Sequence, residues 1–337
     1  MSDKLEILKM IESGKITVDE GLQMIEALEQ TEKIEDEVRE EIYRKPSEED
    51  RGVNKELNKE INKELEKELY GMTDKQMTNF DVSLTTCKLN VERSNVSEVT
   101  IELMDDKTRE YITKPDWLHL VEEKNTISIK ESRTTNLSDI FDFFKSGNAM
   151  LNSVFINVKI PLEMSIDKGK FSNVSGSISL IGLKGIDIEA KSVSGKVYAA
   201  DLIAKIAQLK STSGSVIADN IKTAKSYLKT TSGKVKCSGE PHYLECKSVS
   251  GGIEATLGKN TMTITCGNVS GKIALYLPEP EKFNLQLSSV SGGIDTNGFA
   301  IVDKSTSGKR SVNVVNRSES NSINASTISG KISIDKL

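Results

Sequence analysis

A four-residue motif ending in Ser-Gly recurs through the second half of the chain at nearly constant spacing. The first four units are 19 residues apart, and the next three follow at intervals of 18, 20 and 21. Repeats of this kind indicate a solenoid, because each unit buries its apolar face only against its neighbours. A degraded copy, Thr306-Ser307-Gly308, precedes the last unit. The eight good units begin at Asn173, Ser192, Ser211, Thr230, Ser248, Asn268, Ser289 and Thr327.

Apolar residues occupy matching positions in these units. They stand two and four residues after the glycine and five residues before it, which are period-two positions typical of strands with one buried face. We therefore predict a mainly β fold, a parallel β-solenoid of coils of about 19 residues, with neighbouring strands about 4.8 Å apart. The column two residues after the glycine consists of Ile178, Val197, Val216, Val235, Ile253, Ile273, Ile294 and Ile332.

The Ser-Gly pair is predicted to be a structural corner of each coil. Glycine can adopt the positive φ of a tight turn, and a serine hydroxyl can bond nearby backbone or a stacked hydroxyl. A catalytic serine is disfavoured, because a nucleophile needs a base and the only two histidines, His119 and His242, lie outside the repeated unit. The corner residues are Ser175, Gly176, Ser194, Gly195, Ser213, Gly214, Ser232, Gly233, Ser250, Gly251, Ser270, Gly271, Ser291, Gly292, Ser329 and Gly330.

Lysines recur on both sides of the corner. Stacked coils would align them as a basic stripe, which predicts contact with lipid headgroups, an anionic polymer or the chain's own acidic N-terminal part. The alternative is that outward lysines only solubilise the β surface and discourage strand pairing. Four residues before the glycine stand Lys191, Lys210, Lys229 and Lys247, and one residue after it stand Lys196, Lys234, Lys272 and Lys331.

Charge is unevenly distributed along the chain. Residues 1–77 carry 13 basic and 22 acidic side chains (net −9), residues 78–160 carry 10 and 13 (net −3), and residues 161–337 carry 22 and 15 (net +7); these sum to −5. Aromatic residues are only 5% of the chain, which suits thin coils filled by small side chains. Nucleic acid is not an expected partner, because the chain is acidic overall and lacks interleaved aromatic and basic residues.

The region before the repeats is predicted to have three parts. Residues 1–30 are an amphipathic helical hairpin, in which Thr17 to Glu20 has the form of a capping box. Helices this short are not stable alone, so they must pack on a second copy or on the rest of the chain. Residues 31–77 are a charged, partly helical linker, either a solvated arm or an oligomerising helix. Residues 78–160 alternate as strands and form an irregular β region before the regular solenoid of 161–337.

An apolar insertion, Leu137 to Leu151, interrupts these strands. It fits a short helix capping the β structure, and a membrane-interface anchor is the alternative, although the basic polar face usual for one is missing.

Several classes of protein are excluded by the sequence. It shows no secretory signal and no apolar run long enough to span a bilayer. The four cysteines contain no CxxC pair, which favours a reducing compartment, and we expect a cytoplasmic location, at most peripheral at the membrane. No nucleotide-binding or metal-ligand motif occurs, so we expect neither cofactor nor metal. Cys246 and Cys266 share a core column and are expected to pack as buried thiols, with reaction between them as the alternative.

The repeated Ser-Val-Ser-Gly units, with residues 158–167 (VKIPLEMSID) before them, resemble the bacterial putative-adhesin β-repeat family. This resemblance spans about residues 80–337 and implies a β-solenoid of unknown function without catalytic residues. Residues 5–21 (LEILKMIESGKITVDEG) resemble a SHOCT-like helical hairpin. The pairing is similar to LiaX/YvlB-type proteins linked to the cell-envelope stress response of Gram-positive bacteria, which implies a non-enzymatic regulator or scaffold.

The function predicted from the sequence is that of a non-enzymatic interaction or regulatory protein. The solenoid would be a rigid binding face for a protein partner or an anionic envelope surface, and the N-terminal helices would recruit partners or form a homo-oligomer. A self-assembling, cytoskeleton-like solenoid is the alternative. A carbohydrate-active β-helix enzyme would require clustered acidic residues on one face, which the columns do not supply.

Overall fold

The structure is a computed structural model that describes residues 77–132, 154–297, 303–304, 310–314 and 321–337. The predicted hairpin, nearly all of the linker, the insertion at 137–151 and the degraded copy at 306–308 lie outside these residues. Within them, the only helical element is a 3-10 turn at Pro280–Lys282, and all others are strands. The prediction of a mainly β fold is confirmed.

The strands form one curled, predominantly parallel sheet. Its strands fall into two stacks joined at the corners, and we call these stacks face A and face B. Face A consists of the strands that precede the corners and of the strands that pair beside them at the two ends of the stack. They are β1 (Met77–Leu84), β4 (Leu118–Glu123), β5 (Thr126–Glu131), β7 (Ser165–Asn173), β9 (Lys184–Ser192), β11 (Ile203–Ser211), β15 (Thr263–Asn268), β17 (Asn284–Ser289), β19 (Asp303–Lys304), β20 (Arg310–Val314) and β21 (Ser322–Thr327).

Face B consists of the strands that follow the corners and of the strands that pair beside them at the N-terminal end of the stack. Two long strands, β12 and β13, continue from face B into face A and so join the two faces. The strands of face B are β2 (Lys88–Ser94), β3 (Thr100–Asp105), β6 (Val154–Pro161), β8 (Ile178–Ile181), β10 (Val197–Ala200), β14 (Ile253–Leu257), β16 (Ile273–Leu277), β18 (Ile294–Asp295) and β22 (Ile332–Lys336), and the joining strands are β12 (Val216–Thr230) and β13 (Val235–Ser248).

Successive repeats pair in parallel with a shift of one unit. On face B, Val216 of β12 lies between Val197 of β10 and Val235 of β13. On face A, Leu209 of β11 pairs with Leu228 of β12. The apolar columns predicted from the sequence are buried and form one continuous core, because alternate side chains of each strand point inward and stack on the coil below.

The first coil along the sequence carries no Ser-Gly motif, and on its outer side β1 pairs in parallel with β5 and β2 with β6. Strand β1 pairs in parallel with β7, and β2 pairs in parallel with β8, so residues 77–94 form a complete coil whose corner is Thr85-Thr86-Cys87. The expectation that the whole of 78–160 would be irregular is therefore wrong for this segment. Its alternating inward residues Phe80, Val82 and Leu84 supply the same core column as the repeats, even though its corner differs.

Antiparallel strands cover part of both ends of the stack. At the N-terminal end, β4 pairs antiparallel with β5, and β3 pairs antiparallel with β6. At the C-terminal end, β20 pairs antiparallel with β17 and with β19. The sheet is therefore mixed, and the prediction of a parallel arrangement holds only for the coils between these end strands.

The last repeat of the sequence is not the last coil of the stack. Strand β21 pairs in parallel with β15 on one edge and with β17 on the other, and β22 lies in the same way between β16 and β18. The coil of Gly330 therefore lies between those of Gly271 and Gly292. Because the other edge of β17 is occupied by antiparallel β20, β21 can pair with β17 only on the side facing β15.

A second corner, after the short face B strands, contains residues with left-handed backbone. Gly182, Asp201 and Asn220 have φ values of 66°, 52° and 50° and are spaced by 19 residues. Glycine, aspartate and asparagine are the residues that best tolerate this conformation. The positive φ that the sequence analysis assigned to the Ser-Gly corner therefore occurs mainly here.

Candidate interaction surface at the Ser-Gly corner

The corner glycines are required by the close approach of neighbouring coils. A Cβ atom added to Gly195 would lie 2.0 Å from the carbonyl oxygen of Gly176, and one added to Gly214 would lie 2.1 Å from that of Gly195. Among the corner glycines only Gly271 has a φ in the positive region, at 157°. The expected reason for glycine, a left-handed turn, is therefore corrected: a side chain at this position has no room.

A buried polar column stands three residues before the glycines. Ser211 Oγ accepts a hydrogen bond from the Gly214 amide at 2.9 Å and donates one to the Gly195 carbonyl at 3.0 Å. Ser192 makes the same pair of bonds with Gly195 and Gly176. These two hydroxyls thus close their own corners and tie each corner to the coil below. The column is Asn173, Ser192, Ser211, Thr230, Ser248, Asn268, Ser289 and Thr327, and every member is buried.

The serines next to the glycines lie on the outside. All eight are exposed, and Ser175 and Ser291 donate hydrogen bonds to the carbonyl oxygens of Thr85 and Ile328 in neighbouring coils at 2.9 and 3.1 Å. The stacked hydroxyls were predicted at this serine, whereas the buried column lies two residues earlier in each unit. The signal was present, since the third residue before every corner glycine is Asn, Ser or Thr.

The lysines four residues before the glycine form an unbroken column on face A. Lys210 pairs in register with Lys191 on one side and Lys229 on the other, and Lys229 pairs with Lys247. Neighbouring members are therefore about 4.8 Å apart at the backbone. We call Lys191, Lys210, Lys229 and Lys247 the lysine column.

The first and last members of the lysine column each pair with a glutamate two residues earlier on the same strand. Lys191 Nζ lies 2.8 Å from Glu189 Oε1, and Lys247 Nζ lies 2.6 Å from Glu245 Oε1. In the two middle coils the corresponding positions are Gln208 and Tyr227, which pair in register with these glutamates. The position two residues before the lysine is therefore acidic at the two ends of the column and uncharged in its two middle coils.

The lysines one residue after the glycine are exposed but do not form a continuous column. In the stack, the coil of Ser215 separates Lys196 from Lys234. Lys234 Nζ lies 2.7 Å from Glu254 Oε2, and the hydrogen bond from Lys234 is the main cause of the lowered pKa of Glu254. Lys272 and Lys331 become neighbours because the last repeat is inserted beside the coil of Gly271, where the Ile273 amide bonds the Lys331 carbonyl.

The buried thiols are placed for packing. Cys246 and Cys266 pair in register, and both are buried. The contact with Cys266 and burial raise the pKa of the Cys246 thiol well above its ordinary value, which makes it a poor nucleophile. In the part of the chain that the structure describes, no three His, Cys, Asp or Glu side chains are grouped so that they could hold a metal ion. The same residues include no helix long and apolar enough to cross a bilayer.

Comparison with known proteins identifies a family. A search of curated proteins finds no match. Two solved structures are similar at low identity: a putative adhesin from Bacteroides fragilis (13% identity, TM-score 0.41) and a putative cell adhesion protein from Clostridium sporogenes (14%, TM-score 0.23). Each alignment covers 78% of this chain and 93% of the other. Residues 2–33 match the profile of the SHOCT-like domain. Residues 77–335 match the profile of Toastrack DUF4097, and the chain therefore belongs to the Toastrack DUF4097 family.

Proposed function

We propose that this protein is a non-enzymatic interaction protein of the bacterial cell envelope, and that the curled sheet is a rigid face which binds an anionic partner. The lysine column is the observation that supports this proposal. Four like charges in register repel each other by about 1 kcal/mol per neighbouring pair in water. An anionic partner relieves this repulsion, so the column favours binding.

Rigidity of the sheet adds to this effect. Each member of the lysine column belongs to a strand paired on both edges. The corner beside each lysine is closed by a buried hydroxyl, such as Ser211. The backbone positions of the charges are thus already fixed, and binding orders only the lysine side chains.

The N-terminal segment completes the proposal. Its similarity to the SHOCT-like domain over residues 2–33 supports a separate module that recruits a protein partner or a second copy of the chain. We place the protein at the cytoplasmic surface of the membrane, where anionic lipids attract basic surfaces, and we assign it a part in the envelope stress response. Nucleic acid is not a proposed partner.

The decisive experiment compares binding of the full chain to vesicles of phosphatidylglycerol and phosphatidylcholine with binding to phosphatidylcholine alone. A basic residue near an anionic surface contributes about 1 kcal/mol. If half of this contribution is realised at each of the four sites, the loss is about 2 kcal/mol, so changing the four members of the lysine column to Gln should weaken binding by about 30-fold or more. The matched control changes four exposed lysines elsewhere, Lys124, Lys259, Lys282 and Lys336, to Gln.

Two further variants are expected to strengthen binding to anionic vesicles, which is the opposite effect. Glu189→Gln and Glu245→Gln remove the carboxylates beside Lys191 and Lys247 and should strengthen binding to anionic vesicles. Equal binding by wild type and the lysine-column variant would refute the proposal. A loss of the same size in the control variant would also refute it, since net charge rather than the column would then be responsible.

A further inference from the structure

A line of exposed apolar side chains runs along the apex of the corner, two residues before each glycine. Single exposed valines are common, but a contiguous exposed apolar surface is a feature of binding sites. We call this line the apolar ridge; its members are Val174 (44% exposed), Val193 (47%), Val249 (39%), Val269 (42%), Val290 (50%) and Ile328 (53%).

The ridge is continuous through the stack except at its centre. In stack order the coils of Val174 and Val193 come first, then two coils with Thr212 and Thr231 at this position, and then four apolar members. At about 4.8 Å per coil, the eight positions extend over about 34 Å. A β-branched side chain occupies every position, so the surface has one shape throughout and differs only in polarity.

Lysines border parts of the ridge on both sides, and its apex carries no acidic residue. The lysine column lies two residues before the ridge position in the four coils from Val193 to Val249. On the other side, Lys196, Lys234, Lys272 and Lys331 lie three residues after the ridge position in four coils, and two of them pair with carboxylates, Lys234 with Glu254 and Lys331 with Asp295. The eight corner units, read from the buried polar residue to the residue after glycine, contain no Asp or Glu. An apolar line between cationic flanks is the pattern of surfaces that lie in a membrane interface, with lysine ammonium groups reaching up to the phosphates.

We propose that the apolar ridge inserts into the headgroup region of an anionic lipid bilayer while the flanking lysines bind lipid phosphates. This inference rests on the proposed function and deepens it, because it names a lipid bilayer, rather than a soluble polyanion or an acidic protein, as the partner. Charge complementarity supports this occupant, and the ridge adds an apolar contact that a fully hydrated polyanion cannot use.

Valine-to-threonine substitutions test the ridge without disturbing the fold, because threonine already stands at two of its positions. The triple variant Val193→Thr, Val249→Thr and Val269→Thr removes three methyl groups from the half-exposed line. We expect it to bind phosphatidylglycerol-containing vesicles about 10-fold more weakly than wild type and to bind dextran sulfate, a soluble polyanion, equally well. The reverse variant, Thr212→Val with Thr231→Val, completes the ridge and should bind those vesicles more tightly than wild type.

Insertion is measured directly with an environment-sensitive fluorophore. All four native cysteines are buried, so the full chain carrying Val249→Cys can be labelled at the ridge, and Lys259→Cys, in the turn between β14 and β15, is the control. Anionic vesicles should shift the emission of the ridge label to the blue and leave that of the control unchanged.

The outcomes separate the two proposals. Unchanged vesicle binding by the triple valine variant, or no blue shift at the ridge, overturns the ridge proposal and leaves the lysine column as an electrostatic site. Equal weakening toward vesicles and dextran sulfate also overturns it, since the valines would then act through structure. Unchanged binding of both ligands by the lysine-column variant overturns the proposed function itself.

Discussion

Glu131 closes the first corner of the stack, and its removal should loosen the N-terminal end. At interior corners, backbone amides donate to carbonyls of the preceding coil, as Ser194 does to Val174 at 2.8 Å. At the first corner, the amides of Thr85 and Thr86 donate instead to Glu131 Oε2 at 2.7 and 2.9 Å. The Cys87 amide reaches the same oxygen at 3.3 Å, and Thr86 Oγ1 donates to Glu131 Oε1 at 2.8 Å.

The magnitude follows from these four hydrogen bonds. A bond to a charged group contributes about 1.5–3 kcal/mol, but the side chain is only half-buried and water can replace part of the network. We expect Glu131→Ala to lower the free energy of unfolding by about 2–4 kcal/mol. Glu131→Gln keeps one acceptor oxygen, and we expect it to cost about 1–2 kcal/mol.

The pH dependence of this effect has a definite sign. Burial alone would raise the pKa of Glu131, but hydrogen bonds from the Thr85 and Thr86 amides outweigh it and hold the pKa below its ordinary value. The carboxylate therefore stabilises the fold fully above the unfolded-state pKa of about 4.3, and this stabilisation is lost as the pH falls through the lower folded pKa. The difference between wild type and Glu131→Gln should shrink in acid.

The assay combines urea unfolding with hydrogen exchange. Repeat stacks can open from one end, so exchange at the amides of residues 85–91 gives the local reading that a single unfolding curve lacks. Glu122→Gln, which changes an exposed carboxylate on β4, is the control. If Glu131→Gln matches this control in both stability and exchange, the capping role assigned to Glu131 is wrong.

Three shorter predictions concern the corner and the core. Gly214→Ala should cost about 3 kcal/mol, because its Cβ would lie 2.1 Å from a backbone oxygen, whereas Gly252→Ala, with its nearest atom at 3.5 Å, should cost under about 1 kcal/mol in the same urea titration. Ser211→Ala should cost about 1–2 kcal/mol and the exposed Ser213→Ala less than about 0.5 kcal/mol, and equal costs would contradict the buried column. Because its pKa is raised, the Cys246 thiol should resist alkylation at pH 8 until urea unfolds the protein, as mass spectrometry can show.

The core of the stack was predictable because its chemistry repeats. Inward positions such as Val197 and Leu209 recur in every unit, and a period of two has only one interpretation in a strand. The second corner has a sequence signal of the same kind, since Gly182, Asp201 and Asn220 are spaced by 19 residues, although positive φ was predicted at the Ser-Gly motif instead. The alignment of the four lysines of the lysine column in neighbouring strands follows from the same repeat spacing.

Other features depend on contacts that no local pattern encodes. The coil of residues 77–94 lacks the glycine, and its corner is closed by Glu131, which lies far along the chain. The place of the last repeat is decided by which strand edge is free, and that depends on the antiparallel position of β20. Exposure of the apolar ridge also required the structure, because valine in a strand is more often buried than exposed.

The inserted last coil has a consequence for how the protein emerges from the ribosome. Coils up to that of Asn268 can add one at a time during synthesis, since each finds the previous coil already in place. Strands β17 and β18 have no such neighbour until residues 322–336 have been translated, because β21 and β22 separate them from the growing stack. A chain that stops before residue 322 would thus have a missing layer inside the stack. The layer that joins β17 and β18 to the rest of the stack is therefore made of residues that follow them in the chain.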